Sequence, residues 1–126
     1  MTAAHRPQAL MDWSRLEQFR EFDDGERSMM REVVALFVGE VPQHHDDIRS
    51  ALSAGDSAAL SRAAHALKGA ASNVGAQALS DACGTLEQSC RQGWWPADAA
   101  AAQVAGIIAF ADKTCQALED WAAQAG

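Results

Sequence analysis

Apolar residues recur along most of this chain at alternating steps of three and four, which places them on one face of an α-helix. The longest series covers residues 30–52, and others cover residues 60–74, 79–90 and 104–122. The pattern therefore predicts four amphipathic helices. The positions expected to face the interior are Met30, Val34, Phe37, Val41, His45, Ile48 and Leu52 in the first, Leu60, Ala63, Ala64, Leu67, Ala70, Ala71 and Val74 in the second, Leu79, Cys83, Leu86 and Cys90 in the third, and Val104, Ile108, Ala111, Cys115, Leu118 and Ala122 in the fourth.

Turn and capping residues separate the four predicted helices. Gly55 is expected to end the first of them, and Asp56 or Ser57 to cap the next with a side-chain oxygen. Gly75 is expected to end the second helix in a left-handed conformation. The Gly-Trp-Trp-Pro sequence of residues 93–96 predicts a turn before the last helix. The last three helices are thus expected over residues 57–74, 76–92 and 97–122.

The long first helix of the four contains one proline. Pro42 removes a backbone hydrogen bond to the carbonyl of Val38, so a kink rather than a stop is expected there. Either Asp23 or Asp24 could cap the start of this helix.

A short additional helix is predicted upstream, where Asp12 could serve as its N-cap. Its apolar face would consist of Trp13, Leu16 and Phe19. Residues 1–11 show little periodicity and are expected to be a flexible lead-in. The folded domain is then expected over residues 12–126.

Amphipathic helices joined by short connections bury their apolar faces best as an antiparallel bundle. The predicted fold class is therefore all-α, an antiparallel four-helix bundle with a short N-terminal helix over one end. The chain of 126 residues is long enough for one domain with a real core. Its three prolines and its lack of tyrosine also favour helix over sheet.

Charge and cysteine usage narrow the classes of function. The net charge of −7 argues against nucleic acid or an anionic membrane surface as the main partner. No apolar run approaches the ~20 residues of a membrane span, and no signal-peptide segment is recognisable. The three cysteines form no CxxC or other metal-ligand pair, and their odd number makes a poor disulfide framework. A reduced, cytoplasmic protein is expected.

The predicted helix over residues 57–74 carries one histidine on its polar face. His65 is expected to point to solvent, with Lys68 one turn along and Gly69, a position without a side chain, nearby. An exposed histidine is mostly neutral at cytoplasmic pH and presents a nitrogen lone pair. The residues expected on this face are Ser61, Arg62, His65, Lys68, Gly69 and Ser72.

This run resembles the phosphoacceptor helix of histidine-containing phosphotransfer (HPt) domains, whose signature is H-x-L-K-G followed by a helix-ending glycine. His65, Leu67, Lys68, Gly69 and Gly75 all match it. The order of predicted helices over residues 12–122 is similar to the family's layout. The resemblance implies that His65 receives a phosphoryl group from a receiver-domain aspartate and passes it to another response-regulator receiver.

The remaining site residues follow from the bundle together with this resemblance. Glu87, 22 residues after His65, would approach it if the chain turns at Gly75, and it would accept a hydrogen bond from the imidazole. Lys68 is expected to be exposed and to neutralise part of the phosphoryl charge. Ser61, Arg62, Gly69 and Ser72 are expected to form the partner-docking face, on which Ser72 could also donate to the phosphoryl group.

The resemblance also implies the partners. They are response-regulator receiver domains and a hybrid sensor histidine kinase, with no nucleic acid and no membrane. We expect no cofactor and no metal on this chain, since the partner receiver domain would supply Mg²⁺. The protein is expected to be a monomeric phosphocarrier that does not bind ATP, and thus not an enzyme by itself.

Several alternatives compete with this interpretation. A histidine-kinase dimerisation helix pair typically has an acidic residue after its histidine, where this chain has Ala66, and a helical adaptor would not need both His65 and Lys68. A metal or haem bundle is disfavoured because the paired ligand motifs are missing. His44 and His45 point apart on a helix and are expected to be structural, with His45 at a bundle edge beside a polar partner. Trp94 and Trp95 are expected to close the end of the bundle, and a binding role is the alternative.

Overall fold

A computed structural model describes residues 10–17, 28–93 and 97–124 of this chain, and all regular structure in these residues is helical. The bundle consists of four long helices, of which α3 packs between α2 and α4, and α5 closes the ring against α2 and α4. Two residues connect α2 to α3 and three connect α3 to α4, so successive helices run antiparallel. The predicted all-α bundle is therefore confirmed. The helices are α1 (Ser14–Glu17), α2 (Ser28–Ala54), α3 (Ser57–Asn73), α4 (Gln77–Arg91) and α5 (Ala97–Gln124).

Caps and turns define the helix ends near the predicted positions. Asp56 is the N-cap of α3, and its Oδ1 accepts a hydrogen bond from the backbone N–H of Ala59 at 3.0 Å. Gly55 and Gly75 have φ of +65° and +76°, the left-handed conformation that favours glycine at a helix C-terminus. α2 continues through Pro42 without a stop, as expected, and the kink there stays a prediction.

The core contains the predicted apolar faces of α2, α3 and α4 with few changes. In α2 the last buried position is Ala51, whereas Leu52 is only partly buried. The side chain of Met30 lies outside the described residues. The buried positions on these helices that the pattern predicted are Val34, Phe37, Val41, His45, Ile48, Leu60, Ala64, Leu67, Ala71, Val74, Leu79, Cys83, Leu86 and Cys90.

The prediction of the buried face of α5 is wrong in part, because the helix turns a neighbouring set of residues towards the core. Ile107 and Thr114 are buried, whereas the expected Ile108 and Cys115 are only partly buried. Thr114 is tolerated in the core because its Oγ1 donates a hydrogen bond to the Phe110 carbonyl at 2.6 Å.

The predicted boundary at residue 12 lies too late, because the two described residues before it already contact the bundle. Met11 is buried and Leu10 packs against the core. The Leu10 carbonyl accepts from the backbone N–H of Ala78 at 3.4 Å, and the N–H of Asp12 donates to the Gly75 carbonyl at 2.6 Å. These contacts hold the segment on the end of the bundle where α3 turns into α4.

The one-turn helix α1 follows this segment. The Oδ1 of Asp12 accepts from the backbone N–H of Ser14 at 3.1 Å, which places Asp12 at the start of α1 as expected. Trp13 stacks on Trp121 of α5 with ring centroids 5.7 Å apart. The expectations for residues 1–9 and for Phe19, Asp23, Asp24, Trp94 and Trp95 lie outside the described residues.

His45 is buried in α2, only 8% exposed, and its Nε2 has no hydrogen-bond partner within the described part of the chain, so the predicted polar partner is not found at this atom. Burial lowers the pKa of His45, and the nearby Arg49 and His44 lower it further. The carboxylates of Asp112 in α5 and of Asp46 act in the opposite direction and raise it. The fold therefore favours the neutral imidazole. Among the described residues, no group of three or more His, Cys, Asp or Glu is arranged to hold a metal ion.

Replacing His45 by leucine is expected to stabilise the bundle, because it removes an unpaired buried polar group, by about 1 kcal/mol at neutral pH. Since the unfolded chain binds the His45 proton more readily than the fold does, stability should fall as the pH drops below about 6.5. His45→Leu should reduce this fall. Denaturant unfolding at pH 8 and pH 5.5 measures both effects. His44→Gln keeps the buried His45 and should retain most of the fall, whereas equal pH dependence of His45→Leu and the parent would contradict this role of His45.

Candidate functional site

The site is built on the polar face of α3. The buried residues Leu60, Ala64, Leu67 and Ala71 fix the rotation of this helix against the core. His65 consequently points outward, and its side chain is 67% exposed. Arg62, Gly69 and Ser72 are also exposed, and Ser61 and Lys68 are partly buried, so all six residues of the predicted polar face lie outside the core.

α4 brings a buried carboxylate to this histidine. Cys83 and Leu86 anchor α4 in the core, and Glu87 beside them has a side chain only 6% exposed. Oε2 of Glu87 lies 3.0 Å from Nδ1 of His65, across 22 residues of sequence. The hairpin turn at Gly75 thus produces the proximity that the spacing predicted.

Two cations share the carboxylate of Glu87. The Nζ of Lys68 lies 2.9 Å from Oε1, and the Nη2 of Arg91 lies 2.6 Å from Oε2. The close ammonium of Lys68 lowers the pKa of Glu87 to about 2, with opposition from burial and further lowering by Arg91 and His65. Glu87 is therefore ionised at neutral pH.

This ionisation determines which nitrogen of His65 is available. A carboxylate accepts hydrogen bonds and cannot donate them, so the contact at 3.0 Å requires the proton to lie on Nδ1. In the neutral ring, Nε2 then carries the lone pair. Because Nδ1 is turned to the carboxylate and the side chain is largely exposed, Nε2 is the nitrogen that can react with an approaching group.

The structure corrects the expectation that Lys68 is a free surface cation. Its side chain is 35% exposed and bound to Glu87. Arg91 is a site residue that sequence reasoning missed. The signal was present, because Glu87 and Arg91 are four residues apart in one helix, the spacing at which opposite charges pair.

The phosphoryl contact of Ser72 stays a prediction, and it would require Ser72 to reach along the helix. Ser72 lies seven residues beyond His65, about 10 Å along the helix axis. Its Oγ is hydrogen-bonded to Oγ of Ser80 at 3.0 Å. By contrast, Gly69 is exposed one turn from His65, and no atom lies within 4 Å of where its Cβ would be. Arg62 lines a shallow groove between α2 and α3 on the other side of His65.

The cysteines lie outside this site. Cys83 and Cys90 are buried as predicted, whereas Cys115 is partly buried, and none is in a disulfide. Burial raises the pKa of all three thiols, to about 12 for Cys83 and about 11 for Cys115. They are therefore protonated at neutral pH and unreactive, as expected of small core residues.

The depressed pKa of Glu87 predicts a specific acid sensitivity. Its folded-state value lies below the ordinary value of 4.5, so the contribution of Glu87 to stability is present above that pH. The contribution is lost as the pH falls from about 4.5 towards about 2, because the unfolded chain binds the proton first. Denaturant unfolding between pH 6 and pH 2.5 should show a smaller loss for Glu87→Gln than for the parent. Asp81→Asn, which alters an exposed carboxylate of the same helix, should follow the parent; if Glu87→Gln also follows it, the account of Glu87 fails.

Comparison with known proteins agrees with this geometry. The family model for the Hpt domain matches residues 32–125, so the chain belongs to the Hpt domain family. Membership places it among proteins of histidine phosphotransfer in two-component phosphorelays. No curated protein sequence matches the chain. None of the described helices is both long and apolar enough to cross a membrane.

Two solved structures share the fold. Histidine-containing phosphotransfer protein B (HptB) of Pseudomonas aeruginosa PAO1 is similar with a TM-score of 0.80 and 26% sequence identity, over 92% of this chain and 96% of that one. The HPT domain of a sensor hybrid histidine kinase from Shewanella is similar with a TM-score of 0.71 and 15% identity, over 93% of this chain and 97% of that one. The second likeness concerns the fold alone.

Proposed function

We propose that His65 is the phosphoacceptor of a phosphorelay module, which takes a phosphoryl group from the aspartyl phosphate of one receiver domain and passes it to the aspartate of another. The observation that carries the proposal is the hydrogen bond between Nδ1 of His65 and the buried, ionised Glu87. It leaves Nε2 with a lone pair on an otherwise exposed ring.

The chemistry requires a neutral imidazole. The lone pair on Nε2 attacks phosphorus, the P–O bond to the aspartate breaks, and its electron pair stays on the aspartate as a carboxylate. An N–P bond forms, and the ring, which retains its proton on Nδ1, becomes positively charged. Glu87 stabilises this developing charge through the same hydrogen bond that fixes the tautomer. The reverse sequence delivers the phosphoryl group to the next receiver.

The charges around the histidine favour the product. A phosphoryl group adds about 1.5 to 2 negative charges. Lys68 is one helical turn from His65 and still partly exposed, so it can turn towards this group. We assign Mg²⁺ and the remaining catalytic groups to the receiver domain, and the first phosphoryl group to a hybrid sensor histidine kinase.

The direct test follows labelled phosphate. Receiver domains carrying ³²P on their aspartate are mixed with the purified chain and Mg²⁺, and the chain is separated and counted. We expect rapid, acid-labile labelling of the chain by at least one receiver in a panel, and return of the label to a second receiver. Acid-stable labelling, or no labelling by any receiver or by phosphoramidate, would contradict the proposal.

Lys68→Ala is expected to slow transfer by about tenfold, less than the loss of a donor in a dry site, because Lys68 is partly exposed. It should also lower the melting temperature, since it removes an ion-pair partner of the buried Glu87. Labelling reactions quenched at successive times measure the transfer rate, and thermal unfolding measures the melting temperature. Lys113→Ala removes the other lysine of the chain, which is exposed on α5, and should match the parent in both. A Lys68→Ala variant with parental transfer rates would exclude Lys68 from the site.

A further inference from the structure

Arg91 is a charged residue of the site to which the phosphotransfer chemistry above gives no task. Its Nη2 lies 2.6 Å from Oε2 of Glu87, one turn away in α4. Pairs of this spacing on an exposed helix surface contribute little. Here, however, the carboxylate is only 6% exposed while the arginine is 67% exposed, so the pair joins a surface cation to a buried anion.

The charges around Glu87 do not balance in the resting site. One carboxylate is paired with both Lys68 and Arg91, two positive charges for one negative. Without Lys68, the carboxylate would still keep one cation, Arg91, and the hydrogen bond from His65, both on Oε2. The second positive charge can neutralise part of a phosphoryl group on His65, which carries about 1.5 to 2 negative charges.

The two cations occupy different positions with respect to His65. Lys68 lies on the same helix as His65, three residues away, and contacts Oε1 of Glu87. Arg91 lies on the other helix of the hairpin and contacts Oε2, the oxygen that also accepts from Nδ1 of His65. Lys68 is therefore the cation suited to leave for the phosphoryl group, and Arg91 the cation suited to stay.

If Lys68 left without Arg91 in place, the buried carboxylate would lose its cationic partners. An unpaired buried charge is costly, so Glu87 would hold Lys68 back. We propose that Arg91 is a positioning residue, which keeps Glu87 ionised and bound to Nδ1 of His65 while Lys68 moves from Glu87 to the phosphoryl group. The inference rests on the proposed function and deepens it.

A double-mutant cycle tests this division of tasks. Transfer rates are measured for the parent, Arg91→Gln, Lys68→Gln and the double variant, with the receiver that labels the parent fastest. Because Arg91 acts by releasing Lys68, each single substitution should slow transfer by about tenfold. The double variant should be no more than about twofold slower than Lys68→Gln alone, a strong departure from additivity.

Control variants separate this role from net charge and from helix stability. Lys113→Gln removes the same charge from an exposed position of α5 and should transfer at the parental rate. Arg91→Lys should recover most of the loss, because a cation at this spacing still reaches Glu87. In unphosphorylated Arg91→Gln, the ¹⁵N shifts of His65 should still show the proton on Nδ1, because Lys68 remains on Glu87. Circular dichroism should show parental helicity, and Arg91→Met provides a second uncharged variant.

The other outcomes overturn the assignment. Losses that multiply in the double variant would mean that Arg91 contacts the phosphoryl group itself, and a parental rate for Arg91→Gln and Arg91→Met would mean that Arg91 has no part in transfer. Loss of the Nδ1 proton of His65 in unphosphorylated Arg91→Gln would mean that Arg91 is already needed to orient the imidazole before transfer, and not to release Lys68. If the parent itself accepts no label, the proposed function fails and the role of Arg91 fails with it; if the parent is labelled and the cycle is additive, only the role of Arg91 fails.

Discussion

His65→Gln is expected to abolish phosphoryl acceptance and to leave the helical bundle intact. Glutamine cannot supply an aromatic nitrogen lone pair to phosphorus, so transfer from receivers and from phosphoramidate should both fall below detection, at least about 10³-fold. The fold should persist because the His65 side chain is 67% exposed and the buried face of α3 is unchanged. Glutamine can still donate a hydrogen bond to Glu87, which limits the disturbance around that carboxylate.

The matched control is His44→Gln, which makes the same chemical change at a partly buried position of α2. It should be labelled at the parental rate. Labelling by ³²P and circular dichroism on both variants give the comparison. Retained labelling of His65→Gln would contradict the assignment of the phosphoacceptor, and a loss of helicity in that variant would contradict the account of α3.

Gly69→Gln is expected to separate docking from chemistry. Glycine inside a helix costs about 0.5–1 kcal/mol relative to a good helix former. No atom lies within 4 Å of a Cβ at this position, so the substitution meets no obstacle in the isolated protein and should raise the melting temperature. A receiver's aspartate, however, must come within bonding distance of His65, and a long side chain one turn away would stand in its path.

We therefore expect Gly69→Gln to reduce transfer from and to receivers by about 10²-fold, an effect comparable to the loss of one well-placed catalytic contact. Phosphoramidate, which needs no docked protein, should label it almost as fast as the parent. Gly106→Gln is the matched control, because Gly106 is also exposed within a helix and also has open space at its Cβ, but lies on α5. Gly106→Gln should gain stability and keep its transfer rate. If Gly69→Gln exchanged phosphoryl groups with receivers at the parental rate, Gly69 would not belong to the docking face.

The parts of the fold that sequence could predict are those with a strong local signal. Asp56 and the left-handed Gly55 and Gly75 mark helix ends through capping chemistry that does not depend on distant residues. The proximity of His65 and Glu87 follows from a turn at Gly75 and similar lengths of helix on either side, so it was predictable once the hairpin was recognised.

Other features depend on packing that the pattern leaves open. In α5, Ile107 and Ile108 are adjacent, so two rotations of the helix each place one isoleucine in the core, and tertiary contacts select the one with Ile107 inside. Leu10 and Met11 have no periodicity; backbone hydrogen bonds of Leu10 with Ala78 and of Asp12 with Gly75 hold this segment in place.

The electrostatics of the site were predicted only in outline. The sequence indicates that Lys68 and Glu87 lie near His65. It does not indicate that Lys68 forms an ion pair with Glu87. Whether Lys68 binds Glu87 depends on how deeply Glu87 is buried, because a buried carboxylate is costly unless cations pair with it. The same burial explains why Arg91 belongs to the site although it lies beyond the signature motif.

The phosphorylated nitrogen can be identified by NMR. The chain is labelled with ¹⁵N, phosphorylated by a receiver domain, and the imidazole nitrogens are assigned by long-range ¹H–¹⁵N correlation with coupling to ³¹P. We expect phosphorus bonded to Nε2 of His65, with a proton retained on Nδ1 and held by Glu87. Phosphorus on Nδ1, or on any residue other than His65, would contradict this expectation.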